Sequence, residues 1–249
     1  MTDIEPNKQG MKNNYFRYVL GCCISVIFIQ CRGQHPNAVP VNTRPVVVNS
    51  YSAYSAAAAA DSNQLMVNLV NYISPLITDW KYATDSNFTH TVLYTNPAAF
   101  ARLPAARALQ QVQAALTKKG LSLKFYDAYR PYAVTQQMWA VVPDDRYAAN
   151  PAKGSGHNRG AAFDVSIVEL STGRELPMPT PFDDFTEKAH HDYMQLPANV
   201  LANRQLLKTV MEKYGFTALS TEWWHYSLPN AAARFPLLNL SFDDLRKTK

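Results

Sequence analysis

The sequence predicts an α+β fold in which a small, mostly antiparallel sheet is flanked by helices. Three observations carry this. Helical spacing dominates the first half of the ordered chain, alternating strand patterns follow, and a late helix separates the last two strand segments, with no internal repeat. The 249 residues are 47% hydrophobic and 17% charged, enough to bury a core in one domain or at most two, and not the composition of a disordered chain. The net charge is +5, but the 24 Lys and Arg residues are scattered without a run of five. Nothing in the charge points to a nucleic-acid partner, and no protein partner is implied.

Each element has its own signal. Leu65, Val67, Leu69, Val70 and Ile73 fall at helical spacing and predict a first helix ended near Pro75. A second helix is expected between Pro97 and Lys119, closed by Gly120. Leu121 to Tyr126 alternates as a strand, and Val134 to Val142 reads as a short helix before Pro143. Phe163, Val165 and Ile167 alternate against Asp164, Ser166 and Val168, which predicts a strand with one face on the core. The turn Ser171-Thr172-Gly173-Arg174 then leads into a hairpin partner at Glu175 to Met178. Asn199 to Tyr214 is a third long helix stopped by Gly215, and Ala218 to Leu228 is a last strand.

Ahead of these elements, Lys8, Lys12 and Arg17 precede the apolar run Tyr18 to Gln30. This has the length of a signal-peptide core and falls short of the roughly 20 residues of a membrane span. Residues 1–31 are therefore expected to be a signal peptide, with Met11 as an alternative start, directing an exported protein to the periplasm or cell envelope. A buried core element is the alternative for the apolar run. Cys22, Cys23 and Cys31 all lie here, so the remaining chain has no disulfide framework. Membrane attachment through a lipid on one of them stays open: Cys22 follows Leu20-Gly21, a suitable context with a short apolar core, whereas Cys31 follows the bulkier Phe28-Ile29-Gln30. Residues 32–60, rich in Pro, Asn, Ser and Ala, read as a tether, leaving 61–249 as the functional domain.

Two short stretches carry chemistry. In GSGHNRGAAFD, His157 sits among three glycines and Asp164 opens the strand. Glycines at 154, 156 and 160 let the backbone fold back so that His157 reaches the face of Asp164, a geometry for two metal ligands that equally fits a hydrogen-bonded surface pair. The second stretch, EWWH, holds Glu222 and His225. Catalytic zinc usually takes three protein ligands and keeps a position for water, and His157, Asp164 and His225 make such a set. Glu222 would then be the general base. An i,i+3 pair faces opposite sides of a flat strand, so a bend must intervene. Alone, EWWH also reads as an edge strand with two core tryptophans.

SGHNRGAAFD and EWWH resemble the S-x-H-x-x-G-x-A-x-D and E-x-x-H signatures of the zinc D-alanyl-D-alanine peptidases, a group that includes hedgehog-type and lysostaphin-type domains. KYATDSNF (81–88), YDAYRP (126–131), TPFDDF (180–185) and EWWHY (222–226) are similar to its D-Ala-D-Ala dipeptidase branch, the type known from vancomycin resistance, in the same order over roughly residues 78–230. The resemblance implies the hedgehog/D-Ala-D-Ala-peptidase fold, one Zn2+ on His157, Asp164 and His225, Glu222 as base and Arg130 as transition-state stabiliser. It further implies that Asp183 holds the substrate ammonium and that Tyr82 and Ser155 line the same pocket. A carboxylate at Asp183 suits a dipeptidase acting on free D-Ala-D-Ala, because a carboxypeptidase or endopeptidase must pass a long peptide there. A non-catalytic zinc module, the remaining alternative, has no need of Glu222 and Arg130. His35, His90, His190 and His191 match no such spacing and read as surface or packing groups.

Overall fold

The computed structural model describes residues 45–248. The expected signal segment and the first part of the expected tether lie outside them. Strand β1 (Val47–Val48) is followed by helix α1 (Tyr51–Ala60) and by β2 (Met66–Asn68) and β3 (Ile77–Thr78). Next come β4 (Phe100–Arg102), α2 (Leu103–Thr117), β5 (Leu121–Asp127), α3 (Tyr132–Val141) and β6 (Ala162–Glu169). The chain closes with α4 (Ala198–Lys213), β7 (Thr217–Ala218), β8 (His225–Ser227), α5 (Ala231–Arg234), β9 (Leu237–Leu238) and α6 (Phe242–Arg246).

The main sheet has the order β3-β5-β6-β8-β7, and only the β3–β5 pair is parallel. One face carries Leu123, Phe125, Phe163, Val165, Ile167 and Tyr226, all fully buried beneath α2 and α4 through Leu109, Val112, Leu116, Leu207 and Met211. The α+β reading holds, and α4 and both central strands fall where the sequence pattern put them.

Four elements differ from expectation. The stretch 65–73 is not a helix: Met66–Asn68 pairs antiparallel with Phe100–Arg102, and only Leu69–Asn71 makes a 3-10 turn, capped by the Asn68 side chain. Leu65, Val67 and Leu69 fit a period of two as well as a helical one, and pairing with β4 decides between them. The same pairing delays α2 to Leu103, with Pro104 in its first turn, where a missing N–H costs nothing. The hairpin partner after Gly173 is a single bridge, Val168 to Glu175, because Pro177, Pro179 and Pro181 cannot donate to a ladder. The last strand is broken into β7 and β8 by a turn through Leu219–Trp224.

The end of the expected tether is structured. Ser50 Oγ caps α1 by accepting from the Ala53 N–H, and Tyr54 is buried with its hydroxyl accepting the Met66 N–H at 2.8 Å. β1 pairs in parallel with β9. Ala-rich sequence is a good helix former as well as a good linker, and one tyrosine gives this helix something to bury. Replacing Tyr54 with Ala is expected to lower the unfolding free energy by about 3 kcal/mol or more, since it opens a cavity and orphans a buried amide. Urea denaturation measures this; a tether residue would move stability by no more than about 0.5 kcal/mol.

Candidate metal centre and substrate cleft

Three neighbouring strands build the floor of the site. The β5–β6 register runs evenly from Leu121 opposite Glu169 to Phe125 opposite Val165, then slips by one so that Asp127 stands opposite Asp164. The slip is a bulge at Tyr126. Without it Asp127 would share the core-facing side with Phe125; with it, Asp127 turns to the other face. Asp164 in turn stands opposite His225 on β8. Asp127, Asp164 and His225 thus form one row across the sheet.

His157 arrives from a 3-10 turn, His157–Arg159, that folds back over the row. Gly160 ends the turn with φ +66°, a left-handed conformation that favours glycine. At Gly156 a Cβ would stand 2.8 Å from the Ala162 Cβ, so the turn could not lie this close to β6 with any larger residue. Asn158, fully buried, accepts from the Ser155 N–H at 3.0 Å and donates to the Arg130 carbonyl and Thr135 Oγ1 at 2.9 and 2.8 Å. The Arg130 N–H donates back to the His157 carbonyl. The two segments that carry His157 and Arg130 are therefore tied together through their backbones.

The donor atoms converge. His225 Nδ1 lies 2.9 Å from Asp164 Oδ1 and 3.3 Å from His157 Nε2, which is itself 3.4 Å from Asp164 Oδ2. One atom from each residue falls within 4.8 Å of the others. His157 Nδ1 donates to the Ala128 carbonyl at 2.8 Å, and since a carbonyl can only accept, the proton sits on Nδ1 and the Nε2 lone pair faces its partners. Two imidazole nitrogens and a carboxylate oxygen in this arrangement fit a zinc-type ion. The same row replaces the surface-pair alternative, because Asp164 and His157 are both buried. Asp164 lines the cleft, and further along the same face of β6 Ser166 and Val168 are buried.

Glu222 lies in the turn between β7 and β8, its Oε2 3.9 Å from His225 Nδ1. The bend required by the i,i+3 spacing is thus present. The same turn buries Trp223 and Trp224, so the core-tryptophan reading and the chemical reading of EWWH are both true of different side chains. Burial pushes the Glu222 carboxyl up, as suits a group that must take and return a proton.

Arg130 is almost fully buried beside the row. Its Nε and Nη2 donate to Asp127 Oδ2 at 2.9 and 2.7 Å, and its guanidinium lies 5.2 Å from the centre of the Tyr82 ring. Burial alone would lower its pKa, but the Asp127 carboxylate more than offsets this and keeps the charge in place. Asp183 has φ +62°, which an aspartate tolerates, and is held by the Tyr82 hydroxyl donating to its Oδ1 at 3.2 Å. Its other oxygen, Oδ2, is buried without a hydrogen-bond partner among the described residues. Burial, reinforced by the Asp164 charge, pushes this carboxyl well above the usual range. Ser155 Oγ accepts the His157 N–H at 3.2 Å.

All eight residues singled out from the sequence line one cleft of about 270 Å3: Tyr82, Arg130, Ser155, His157, Asp164, Asp183, Glu222 and His225. This is at or below the roughly 300–1,000 Å3 of sites for larger ligands, so the cleft suits a small substrate. Asp127, Tyr94 and Asn158 were not assigned roles by sequence reasoning; for Asp127 the signal was its place three residues before Arg130 in YDAYRP. Phe185 and Tyr147, whose rings stand 5.1 Å apart, were missed for lack of any spacing signal. Among the other histidines, His191 packs edge-on against Tyr226, and burial pulls it down to about 4. His90 is exposed and His35 lies outside the described residues.

The family model described as D-ala-D-ala dipeptidase matches residues 61–245. The chain belongs to that family. It is an enzyme of the peptide-hydrolysing class, with the family's α+β fold. The D-alanyl-D-alanine dipeptidase of Escherichia coli (strain K12) is 34% identical over 72% of this chain and 91% of its own. That of Enterococcus faecium is 31% identical over 64% of this chain and 91% of its own. Among solved structures, VanYB in complex with D-alanine-D-alanine aligns over 56% of this chain and 77% of its own, with 16% identity and a TM-score of 0.35.

Proposed function

We propose that this enzyme hydrolyses D-alanyl-D-alanine to two molecules of D-alanine, with one zinc ion held by His157, Asp164 and His225. The observation that carries the reading is that a ready set of metal donors and an unpartnered buried carboxylate oxygen, Asp183 Oδ2, face the same small cleft. Relatives of known name support the substrate. Zinc at such a site supplies Lewis acidity, polarising a carbonyl and lowering the pKa of water to about 7.

The chain's own groups divide the remaining work. Asp183 Oδ2 accepts the substrate's free ammonium, with Tyr82 fixing the carboxylate from Oδ1. The Glu222 carboxylate takes a proton from the attacking water and passes it to the nitrogen of the leaving D-alanine. Arg130 donates to the peptide oxygen as negative charge builds on it, an interaction stronger in the transition state than in the planar amide. Ser155 lines the pocket and steadies the His157 turn. For the cell, we assign the enzyme to turnover or scavenging of wall precursors outside the cytoplasmic membrane. The basic flank and short apolar run at Tyr18–Gln30 support export, and an exported enzyme would not meet the cytoplasmic pool on which resistance enzymes of this type act.

Metal and base separate experimentally. His225→Ala is expected to lose zinc and activity together, whereas Glu222→Ala keeps zinc while turnover falls by about 10²–10⁴-fold. Metal analysis of the purified variants beside steady-state rates decides it: full zinc in His225→Ala removes the ligand assignment, and near-normal turnover in Glu222→Ala moves the base elsewhere.

Asp183 is tested through the substrate. Acetylating the amine removes the charge that Asp183 pairs with and leaves a buried carboxylate without a partner, a loss of about 3–5 kcal/mol. The free dipeptide is therefore expected to exceed N-acetyl-D-Ala-D-Ala by a factor of about 10² or more in kcat/KM, and Asp183→Ala to shrink that preference mainly through the free dipeptide. Equal rates on both substrates for the unaltered enzyme would transfer the reading to a D,D-carboxypeptidase.

A further inference from the structure

We propose that Asp127, held in turn by Tyr94, is a positioning residue that aims the Arg130 guanidinium at the reacting peptide bond. The inference rests on the role of Arg130 given above and extends it to two side chains that do not line the cleft.

The geometry is complete on both oxygens of Asp127. Oδ2 accepts from Arg130 Nε and Nη2, and Oδ1 accepts from the Tyr94 hydroxyl at 2.7 Å and the Ala128 N–H at 2.9 Å. Asp127 is fully buried and Tyr94 nearly so. Two N–H groups converging on one charged oxygen restrain the orientation of the guanidinium as well as its position, and such charge-assisted bonds are strong. With Nε and Nη2 taken by Asp127 and one face against Tyr82, Nη1 is the group that makes no hydrogen bond among the described residues, and Arg130 lines the cleft.

Asp127 also keeps Arg130 off the metal ligands. Arg130 Nη2 is 2.7 Å from Asp127 Oδ2 but only 4.0 Å from Asp164 Oδ2. The two carboxylates stand opposite each other on paired strands, so the guanidinium has two anions within a short swing. Remove Asp127, and Asp164 becomes the nearest counter-charge for a buried cation that cannot stay unpaired. The arginine would then turn from the substrate toward a carboxylate assigned to the metal.

A double-mutant cycle tests this. Arg130→Ala should lower kcat by about 10²–10³-fold, the loss typical of one oxyanion donor. Asp127→Ala should come within about tenfold of that, and the double variant should be no worse than Arg130→Ala by more than about threefold, because both changes remove the same interaction. The loss should lie in kcat, with KM for the dipeptide changed only a few-fold. Zinc content and melting temperature are recorded for every variant, and binding of a phosphinate analogue of the dipeptide, which carries the charge of the tetrahedral species, is measured by calorimetry. That binding should weaken in Asp127→Ala and Arg130→Ala alike. If Asp127→Ala does not fold, Tyr94→Phe, which removes one hydroxyl from the same carboxylate, replaces it. It should lower kcat several-fold in the unaltered background and have no effect in Arg130→Ala.

The failures are distinguishable. If Arg130→Ala retains turnover, the role of Arg130 falls and this inference with it. If Arg130→Ala is crippled while the loss from Asp127→Ala or Tyr94→Phe is absent, or persists undiminished in the Arg130→Ala background, the positioning role alone is wrong.

Discussion

Everything in the cleft depends on one row of side chains across three strands. Asp127, Asp164 and His225 face the same way because β5, β6 and β8 are in one register, and β5 reaches that register only through the bulge at Tyr126. A slip of one residue would send each group to the opposite face. The core on the far side enforces the register: Phe125, Phe163, Val165 and Tyr226 can be buried under α2 and α4 only when Asp127, Asp164 and His225 point to the opposite face. The floor of the cleft is thus the back of the hydrophobic core, and its precision is inherited from packing.

The row is also an electrostatic problem. Asp127, Asp164, Asp183 and Glu222 cluster around Arg130, the one guanidinium buried among them. Acids buried together raise each other's cost of ionisation, which is the direction seen at Asp183 and Glu222. The zinc ion and the substrate ammonium proposed above would bring positive charge to two places in such a set. Arg130 is spared from serving as a general counter-ion because Asp127 engages it from behind.

Much of this was legible in the sequence. The glycines at 154, 156 and 160, the His157–Asp164 spacing and EWWH picked out residues that the structure brings together in one cleft, and strand periodicity placed Asp164 on the face away from the core. What could not be read is informative. The burial of Ser166 and Val168, further along the face that carries Asp164, is not announced by the local sequence. The bulge that turns Asp127 into the row leaves no local mark, since LSLKFYD alternates normally up to it. The stretch 65–73 misled because its apolar residues satisfy two periods at once, and α1 because alanines serve linkers and helices alike. Local spacing picked out residues that meet in the cleft; contacts made across the chain decided which residues hold them.

The role proposed for Asp183 depends on how firmly its carboxylate is held. Its carboxylate is fixed at Oδ1 by Tyr82, a residue packed among Phe88, Tyr94 and Phe182, so it cannot swing aside to admit a chain. A capped amine would leave Oδ2 without a partner, and relief would require moving an aromatic cluster. Phe185 sits against Phe88, Tyr147 and Trp224, extending that cluster along the cleft wall. On the role proposed for Asp183, selectivity for a free amine would be a penalty against longer substrates as well as an attraction to the short one. The same rigidity ties specificity to chemistry, because the Tyr82 ring that steadies Asp183 is also the surface on which the Arg130 guanidinium rests.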